Sequence, residues 1–253
     1  MRAVLLAVVV AVLPSSRAQQ EVDVLAPPAA YRVLVFTRTQ GFRHDSIPDA
    51  VTALTALGNE HAFAVDATED PAFFSEAILP GYSAVAFVLT TGDVLNDDQQ
   101  VAFEGYIRAG GGFVGVHSAT DTEYDWPWYG GLVGAYFADH PPGTYRATVR
   151  VEDATQPATR LLPETWLRTD EWYNFRSNPR LASDVHVLAT VDESTYPGGT
   201  MGDHPVAWFH AYDGGRAWYT AGGHTAESYH DPIFMAHLLG GLEYAANAVP
   251  TET

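Results

Sequence analysis

The segment Gly110-Gly-Gly-Phe-Val-Gly-Val-His117-Ser-Ala119 is the most informative about the fold, because its pattern predicts a helix end, then a buried strand, then a histidine. The three glycines follow a helix predicted over 97–109, with Asn96 as its N-cap. The segment 113–116 is short and apolar, as expected of a strand buried on both faces. Ligands of open parallel sheets bind beyond the carboxyl ends of such strands. His117 therefore stands where a functional residue is expected.

The flanking sequence repeats this alternation of strand and helix. Strands are predicted over 31–37, 62–65 and 82–89 before this segment, and over 145–151, 185–190, 206–212 and 216–221 after it. Helices are predicted over 47–57, with Ser46 as N-cap, and over 232–246. Strands that alternate with helices indicate a parallel sheet covered on both faces. We therefore predict an α/β fold with a mostly parallel central sheet and helices on both faces.

Composition excludes several classes of function. The 253 residues carry 13 basic and 31 acidic side chains, a net charge of −18 at pH 7, which argues against nucleic-acid binding through phosphate contacts. All 13 basic residues are Arg, so a Schiff-base lysine and a phosphate-loop lysine are excluded. Because Cys is absent, thiol nucleophiles, disulfides, thiolate metal sites and a lipidated N-terminal Cys are excluded as well.

The N-terminus has the pattern of a targeting signal. Arg2 precedes the apolar run Ala3–Leu13, and Ser16-Arg17-Ala18 offers small residues to a signal peptidase. We predict a signal peptide over 1–18 with cleavage near Ala18, a linker over 19–30, one domain over 31–246 and a tail over 247–253. No segment is long and apolar enough to span a bilayer, so we expect a periplasmic or secreted protein.

Three histidines follow predicted strands: His44, His117 and His224. We expect their loops to converge at one edge of the sheet. Gly115-X-His117-X-Ala119 has the spacing of a hydrolase nucleophile elbow, with His where Ser or Cys would stand. Since imidazole is an acid/base group and a common ligand of divalent metals, these three histidines form a predicted site for an ion of the zinc or manganese class. Asp121, His140 and His204 are alternative ligands that could replace any of the three. The other interpretation is three hydrogen-bonded structural histidines.

Acidic and aromatic runs supply further candidates. Glu171, in Thr169-Asp-Glu-Trp-Tyr-Asn-Phe175, is a predicted base with His117, because nearby rings raise the pKa of a carboxyl group by desolvation. Asp121 is a third predicted catalytic residue, unless it or Asp125 only caps a helix. Predicted substrate-binding residues are Arg43, Asp170, Trp172, Tyr173, His140, His204 and Glu227, of which Glu227 alternatively orients His224 or caps the last helix. The residues His61, His186, His210 and His237 lie within regular elements and are interpreted as structural.

Several separated motifs together resemble the trehalose-utilisation (ThuA-like) family. They are Gly41-Phe-Arg-His44, the segments 110–119 and 169–175, Pro205-Val-Ala-Trp-Phe-His210, and Gly215-Arg-Ala-Trp-Tyr-Thr-Ala-Gly-Gly-His224-Thr225. The resemblance covers about residues 31–246. It implies a three-layer, flavodoxin-like sandwich related to class I glutamine amidotransferases. Since His117 stands where those enzymes carry their catalytic Cys, transfer of ammonia from glutamine is excluded.

The resemblance also implies a role in carbohydrate use, with a small carbohydrate as the partner molecule. The first hypothesis is an exported enzyme acting on a keto-sugar or 3-keto-glycoside. A base such as Glu171 would remove the C2 proton, a metal ion held by His44, His117 and His224 would stabilise the enediolate, and the C1 oxygen would leave. Elimination, hydrolysis and isomerisation all remain open as outcomes. The second hypothesis is a non-catalytic sugar-binding protein, in which the histidines and acids are polar contacts.

Overall fold

The structure, a computed structural model, describes residues 29–248. The predicted signal peptide, most of the predicted linker and most of the predicted tail lie outside the described residues. Within residues 29–248, no helix is both long enough and apolar enough to cross a membrane.

Eleven strands and four α-helices follow one another in the described part of the chain. The strands are β1 Arg32–Phe36, β2 Ala64–Thr68, β3 Ala84–Val88, β4 Gly112–Val116, β5 Phe137–Asp139, β6 Tyr145–Val151, β7 Thr165–Asp170, β8 Asn174–Phe175, β9 His186–Asp192, β10 Pro205–Tyr212 and β11 Gly215–Thr220. The α-helices are α1 Ile47–Glu60, α2 Asp97–Arg108, α3 Pro127–Val133 and α4 Pro232–Ala245.

Nine of these strands form one sheet in the order β2-β1-β3-β4-β11-β10-β9-β6-β7. The half from β2 to β11 is parallel, whereas the strands from β11 to β7 pair antiparallel. Strand order reverses at β1, which has β2 on one side and β3 on the other. The carboxyl ends of the parallel strands beside this reversal are where α/β folds place ligands.

Helices cover both faces of the sheet. On one face the Phe87 ring lies 5.6 Å from Phe103 of α2 and 5.5 Å from Tyr129 of α3, measured between ring centroids. Tyr219 shares this face, because its register partner Gly115 also pairs with Phe87. The neighbouring Trp218 therefore points to the other face, where it packs on α4. The three layers confirm the α/β, flavodoxin-like sandwich.

The two predicted N-cap residues, Asn96 and Ser46, behave differently: only Asn96 caps its helix. Asn96 caps α2 as predicted: its side chain accepts the Gln99 N–H, and the Gln99 side chain accepts the Asn96 N–H. Ser46 stands before α1, but its hydroxyl does not cap the helix. The Ser46 hydroxyl instead donates to the carbonyl oxygen of His224 at 2.7 Å, so it ties the loop before α1 to the loop after β11.

The structure adds elements that the sequence pattern did not predict. These are strand β7, the short pair β5 and β8, and the helix α3. The helix α3 contains Gly130 and Gly131, which have low helix propensity; Tyr136 and Tyr212 pack so close to them that a Cβ would collide. Tertiary packing therefore outweighs propensity in α3.

Candidate metal centre

Four side chains from distant segments meet at the carboxyl edge of the parallel strands: His44, His117, Glu171 and His224. Each offers one ligand atom, and these atoms all lie within 4.8 Å of one another. The four residues follow β1, β4, β7 and β11 respectively. The three predicted metal ligands therefore converge, and Glu171 joins them.

The backbone at His117 has the shape of an elbow. His117 directly follows β4 and adopts a positive φ of 52°, which L-residues other than Asn and Asp seldom adopt. Gly115 lets the Tyr219 ring pack closely against β4 just before the elbow, because a Cβ there would lie 2.9 Å from that ring. His117 Nδ1 donates to the Ala221 carbonyl at 2.9 Å, and this bond leaves the Nε2 lone pair facing the cluster.

The three imidazole rings form a nearly equilateral triangle. Ring centroids are 5.0 Å apart for His44 and His117 and 5.1 Å apart for the other two pairs, with planes 70–85° to one another. Burial lowers the pKa of His44 to about 3, and the nearby His117 and His224 add to this. Nδ1 of His44 is buried with no hydrogen-bond partner among the described residues. A neutral, buried imidazole of this kind fits a metal ligand.

The Glu171 carboxylate lies among imidazoles. Its Oε2 is 3.1 Å from His224 Nδ1 and 3.4 Å from His117 Nε2, and its Oε1 is 3.2 Å from His140 Nδ1. Burial raises the pKa of Glu171, but the contacts with His117 and His224 outweigh burial and hold this pKa well below its ordinary value. Burial lowers the pKa of His224, yet the Glu171 carboxylate leaves that pKa raised. A carboxylate held in this way is better suited to binding a metal ion than to acting as the predicted base.

Asp170 organises the backbone around the cluster. It is fully buried, and its carboxylate accepts the N–H groups of Glu171 at 3.0 Å, Gly223 at 2.9 Å and His224 at 3.0 Å. Arg168, also buried, donates its Nε to the same carboxylate at 2.9 Å. The structure thus places Asp170 next to the cluster, where its carboxylate holds the backbone of Glu171 and His224 in position.

Three other residues predicted to bind substrate belong to the core. The Trp172 indole N–H donates to the Tyr145 carbonyl at 2.8 Å, and the side chain is buried. The Tyr173 ring packs 4.3 Å from the His117 ring and is also buried. His204 Nε2 donates to the Tyr173 carbonyl at 2.8 Å, while its Nδ1 lies 2.8 Å from Glu193. These side chains are buried, and their packing and hydrogen bonds hold the loop that carries Glu171.

The accessible rim of the cluster contains His140 and Asp121. The His140 side chain is 32% exposed, and its Nδ1 lies 2.9 Å from the Pro141 carbonyl. Tyr124 donates its hydroxyl to Asp121 at 2.6 Å. Burial raises the pKa of Asp121, although the Tyr124 hydrogen bond and the charges of His117 and His140 lower it. Neither Asp121 nor Asp125 caps α3, which starts without a side-chain cap.

Arg43 and Glu227 lie outside the cluster. Arg43 forms an exposed, bidentate ion pair with Glu69. Glu227 neither orients His224 nor caps α4, whose cap is Asp231. Among residues 29–248, no hydrogen bond or ion pair engages the Glu227 carboxylate.

Phe42 is a site residue that the sequence reasoning missed. Its ring is 65% exposed and meets the His44 ring edge-on at 4.9 Å. The sequence feature that could have identified Phe42 is its position two residues before the predicted ligand His44. The other histidines do not join the cluster: Nε2 of His210 bonds to the Leu132 carbonyl, and Nδ1 of His237 bonds to the Ala158 carbonyl.

Comparison with known proteins agrees with this architecture. The sequence model of the ThuA family, described as trehalose utilisation, matches residues 32–245. Among curated proteins, none matches this sequence.

Solved structures share the fold. A ThuA-like protein from Bacteroides uniformis is 24% identical with a TM-score of 0.74, covering 87% of this chain and 93% of its own. A ThuA-like protein from Parabacteroides merdae is 22% identical with a TM-score of 0.69, covering 90% of this chain and 93% of its own. A β-galactosidase from Rahnella sp. R3 is 16% identical with a TM-score of 0.54, and the match covers 85% of this chain but 31% of that enzyme. At these identities the likeness concerns the fold alone.

Proposed function

Since this chain belongs to the ThuA trehalose-utilisation family, we propose that it is an exported enzyme acting on a keto-sugar or 3-keto-glycoside, with a divalent metal ion in its site. The observation that carries the proposal is the convergence of three imidazoles and one carboxylate within 4.8 Å. Such clusters at the carboxyl edge of a parallel sheet are typical of catalytic sites.

The donor set fits an ion of the zinc or manganese class. His44, His117, His224 and Glu171 would hold it, because imidazole and carboxylate are the ligands such ions prefer. When bound, the ion supplies Lewis-acid stabilisation of negative charge on a substrate oxygen. The Ala221 carbonyl orients His117, and Asp170 orients the backbone at His224 and Glu171. These contacts preorganise the ligands.

His140 is better placed than Glu171 to move a proton. Its Nδ1 is engaged with the Pro141 carbonyl and Glu171, which leaves Nε2 to accept the C2 proton that a C3 ketone acidifies. The electron pair of the broken C2–H bond then forms the C1–C2 double bond as the C1–O bond breaks. His140 returns its proton to the departing oxygen, so an elimination is balanced by this one residue.

Elemental analysis tests the metal part of the proposal. The purified protein should contain about one divalent ion per chain, and His117→Ala should lose it. His61→Ala is the matched control, because His61 is exposed at the end of α1 and should keep the ion. No ion in the unmodified protein after incubation with zinc and manganese contradicts the proposal.

Assays on a 3-keto-glycoside test the chemistry. His140→Ala should retain the metal but lower kcat by about 10²- to 10⁴-fold, the usual contribution of a general base. Retained sugar binding without turnover in the unmodified, metal-loaded protein would support a non-catalytic sugar-binding role instead.

A further inference from the structure

A cleft of about 700 Å³ lies at the amino edge of the sheet, opposite the edge that carries the cluster. Ser83 directly precedes β3, Gly111 directly precedes β4, and Arg216 is the second residue of β11; all three line the cleft. The strand β4 lies between Gly111 and His117, and at about 3.3 Å per residue it places them roughly 15–20 Å apart. The volume falls in the range of small-ligand sites, about 300–1,000 Å³. The cleft is therefore a candidate binding site separate from the cluster.

Gly105 contributes open space to the wall of the cleft. It lies inside α2, where glycine is less favourable than alanine because it loses more backbone entropy on folding. No atom lies within 4 Å of the position that a Cβ would take, so close packing does not account for a glycine here. A longer side chain at this position would reach into the cleft that Gly105 lines.

Two buried tyrosines give the cleft a fixed wall. The Tyr106 hydroxyl accepts the Gly112 N–H at 3.2 Å and donates to the Gly112 carbonyl at 3.3 Å. The Tyr82 hydroxyl donates to the Asp66 carboxylate at 2.9 Å. A ligand therefore meets a surface that is already ordered, and its binding loses little free energy in ordering that surface.

Three polar side chains of the wall are available to a ligand. Across residues 29–248, no hydrogen bond or ion pair engages the side chains of Arg216, Ser83 or Asn247. Arg216 is partly buried, whereas most other arginines in this part of the chain pair with an acidic side chain. A guanidinium without such a partner can bind a ligand carboxylate through two parallel hydrogen bonds. The Ser83 hydroxyl and the Asn247 amide are further donors.

The rest of the wall limits the class of ligand. Leu79, Pro80, Ala102 and Ala109 provide apolar surface. Of the residues that line the cleft, only Glu76 is acidic, and it is exposed. Its charge opposes a dianion such as a phosphate more than it opposes a monoanion. One guanidinium beside apolar surface fits a molecule with a single carboxylate and a hydrocarbon part.

We infer that this cleft binds a small, apolar monocarboxylate, with its carboxylate on Arg216 and its hydrocarbon part against Leu79 and Ala102. The inference goes beyond the proposed function, because the cleft shares no residue with the cluster. It stands whether or not the cluster is catalytic, and its ligand is of a different class from the proposed carbohydrate substrate.

Calorimetric titration of the full protein with hexanoate and with its neutral isostere hexanamide tests the site. Hexanoate should bind at about one molecule per chain, and hexanamide about 10- to 100-fold more weakly, the value of hydrogen bonds to a charged group. Arg216→Gln should remove this difference. Arg146→Gln is the matched control: it makes the same change of net charge, and Arg146 is exposed on β6 with no ion pair among residues 29–248. Absence of saturable hexanoate binding, or equal effects of the two substitutions, overturns the site.

Two further variants locate the binding. Gly105→Leu places a side chain in the cleft and should weaken hexanoate binding by about tenfold or more, while thermal unfolding shows that the variant is folded. His117→Ala should leave hexanoate binding unchanged, because only a carboxylate bound to a metal ion at the cluster would lose its site in this variant. Loss of binding in His117→Ala, or unchanged binding in Gly105→Leu, contradicts the inference. Tighter binding of hexyl phosphate than of hexanoate contradicts the carboxylate class.

Discussion

Replacing Asp170 with Asn is expected to destabilise the protein strongly. The two oxygens of the Asp170 carboxylate accept three backbone N–H groups and the Nε–H of Arg168, whose Nη2 also lies 2.7 Å from one of these oxygens. Asn has one acceptor oxygen, and its NH₂ group would face donors. The substitution therefore leaves buried N–H groups without an acceptor, and it leaves the Arg168 charge without its closest partner.

Breaking a buried ion pair from one side costs about 3–5 kcal/mol, because the remaining charge stays buried. Arg168 and Asp170 have side-chain exposures of 5% and 0%, so solvent screens this pair very little. At roughly 2–4 °C per kcal/mol for a chain of this length, Tm should fall by about 10 °C. The backbone at His224 also loses its anchor, so metal affinity should fall by about 10- to 100-fold.

Urea unfolding of the chelator-treated protein measures the stability without any contribution from bound metal. The control is Glu69→Gln, which removes the exposed pair with Arg43, whose side chains are 52% and 50% exposed. That pair should contribute about 0–1 kcal/mol. If Asp170→Asn costs no more than Glu69→Gln, the reasoning about burial is refuted.

Three further predictions concern stability. Burial raises the pKa of Glu123 to about 7, so the folded protein holds this proton more tightly than the unfolded chain does. The free energy of unfolding should therefore fall by roughly 3 kcal/mol as pH rises from about 4.5 to 7, and Glu123→Gln should remove this fall, as urea unfolding at pH 5 and pH 8 would show. In α4, Gly240→Ala should cost about 1–3 kcal/mol, because its Cβ would collide with the backbone of Ala158. In α2, Gly105→Ala should stabilise by about 0.5–1 kcal/mol, since Gly105 is exposed and no atom lies within 4 Å of the added methyl group; thermal unfolding of both variants should give opposite signs.

The sequence predicts the parallel half of the sheet and the meeting of three histidines. Apolar runs between glycine-rich loops identify β1, β3 and β4, and parallel strands end at one edge. The convergence of His44, His117 and His224 follows from this geometry alone.

The sequence pattern does not reveal strand β7 in the antiparallel half of the sheet. The inward positions of β7 are Trp166, Arg168 and Asp170, so two of three buried side chains are charged and the hydrophobic alternation disappears. They are tolerated inside because they pair with each other, which no local pattern reveals. The sequence also does not show that Arg168 pairs with Asp170, and its acidic and aromatic run therefore predicts Asp170 as a substrate contact. The histidine neighbours of Glu171 come from other segments, so the same run predicts Glu171 as a base.

The cluster joins segments that are far apart along the chain. The bond from Ser46 to the His224 carbonyl spans 178 residues, and the contact between His117 and His224 spans 107. Long-range closures of this kind form late and slowly during folding. A chain released from the ribosome before β11 lacks His224 and cannot assemble the four donors. Assembly of this cluster therefore requires that synthesis has passed residue 224 and that both halves of the sheet have come together.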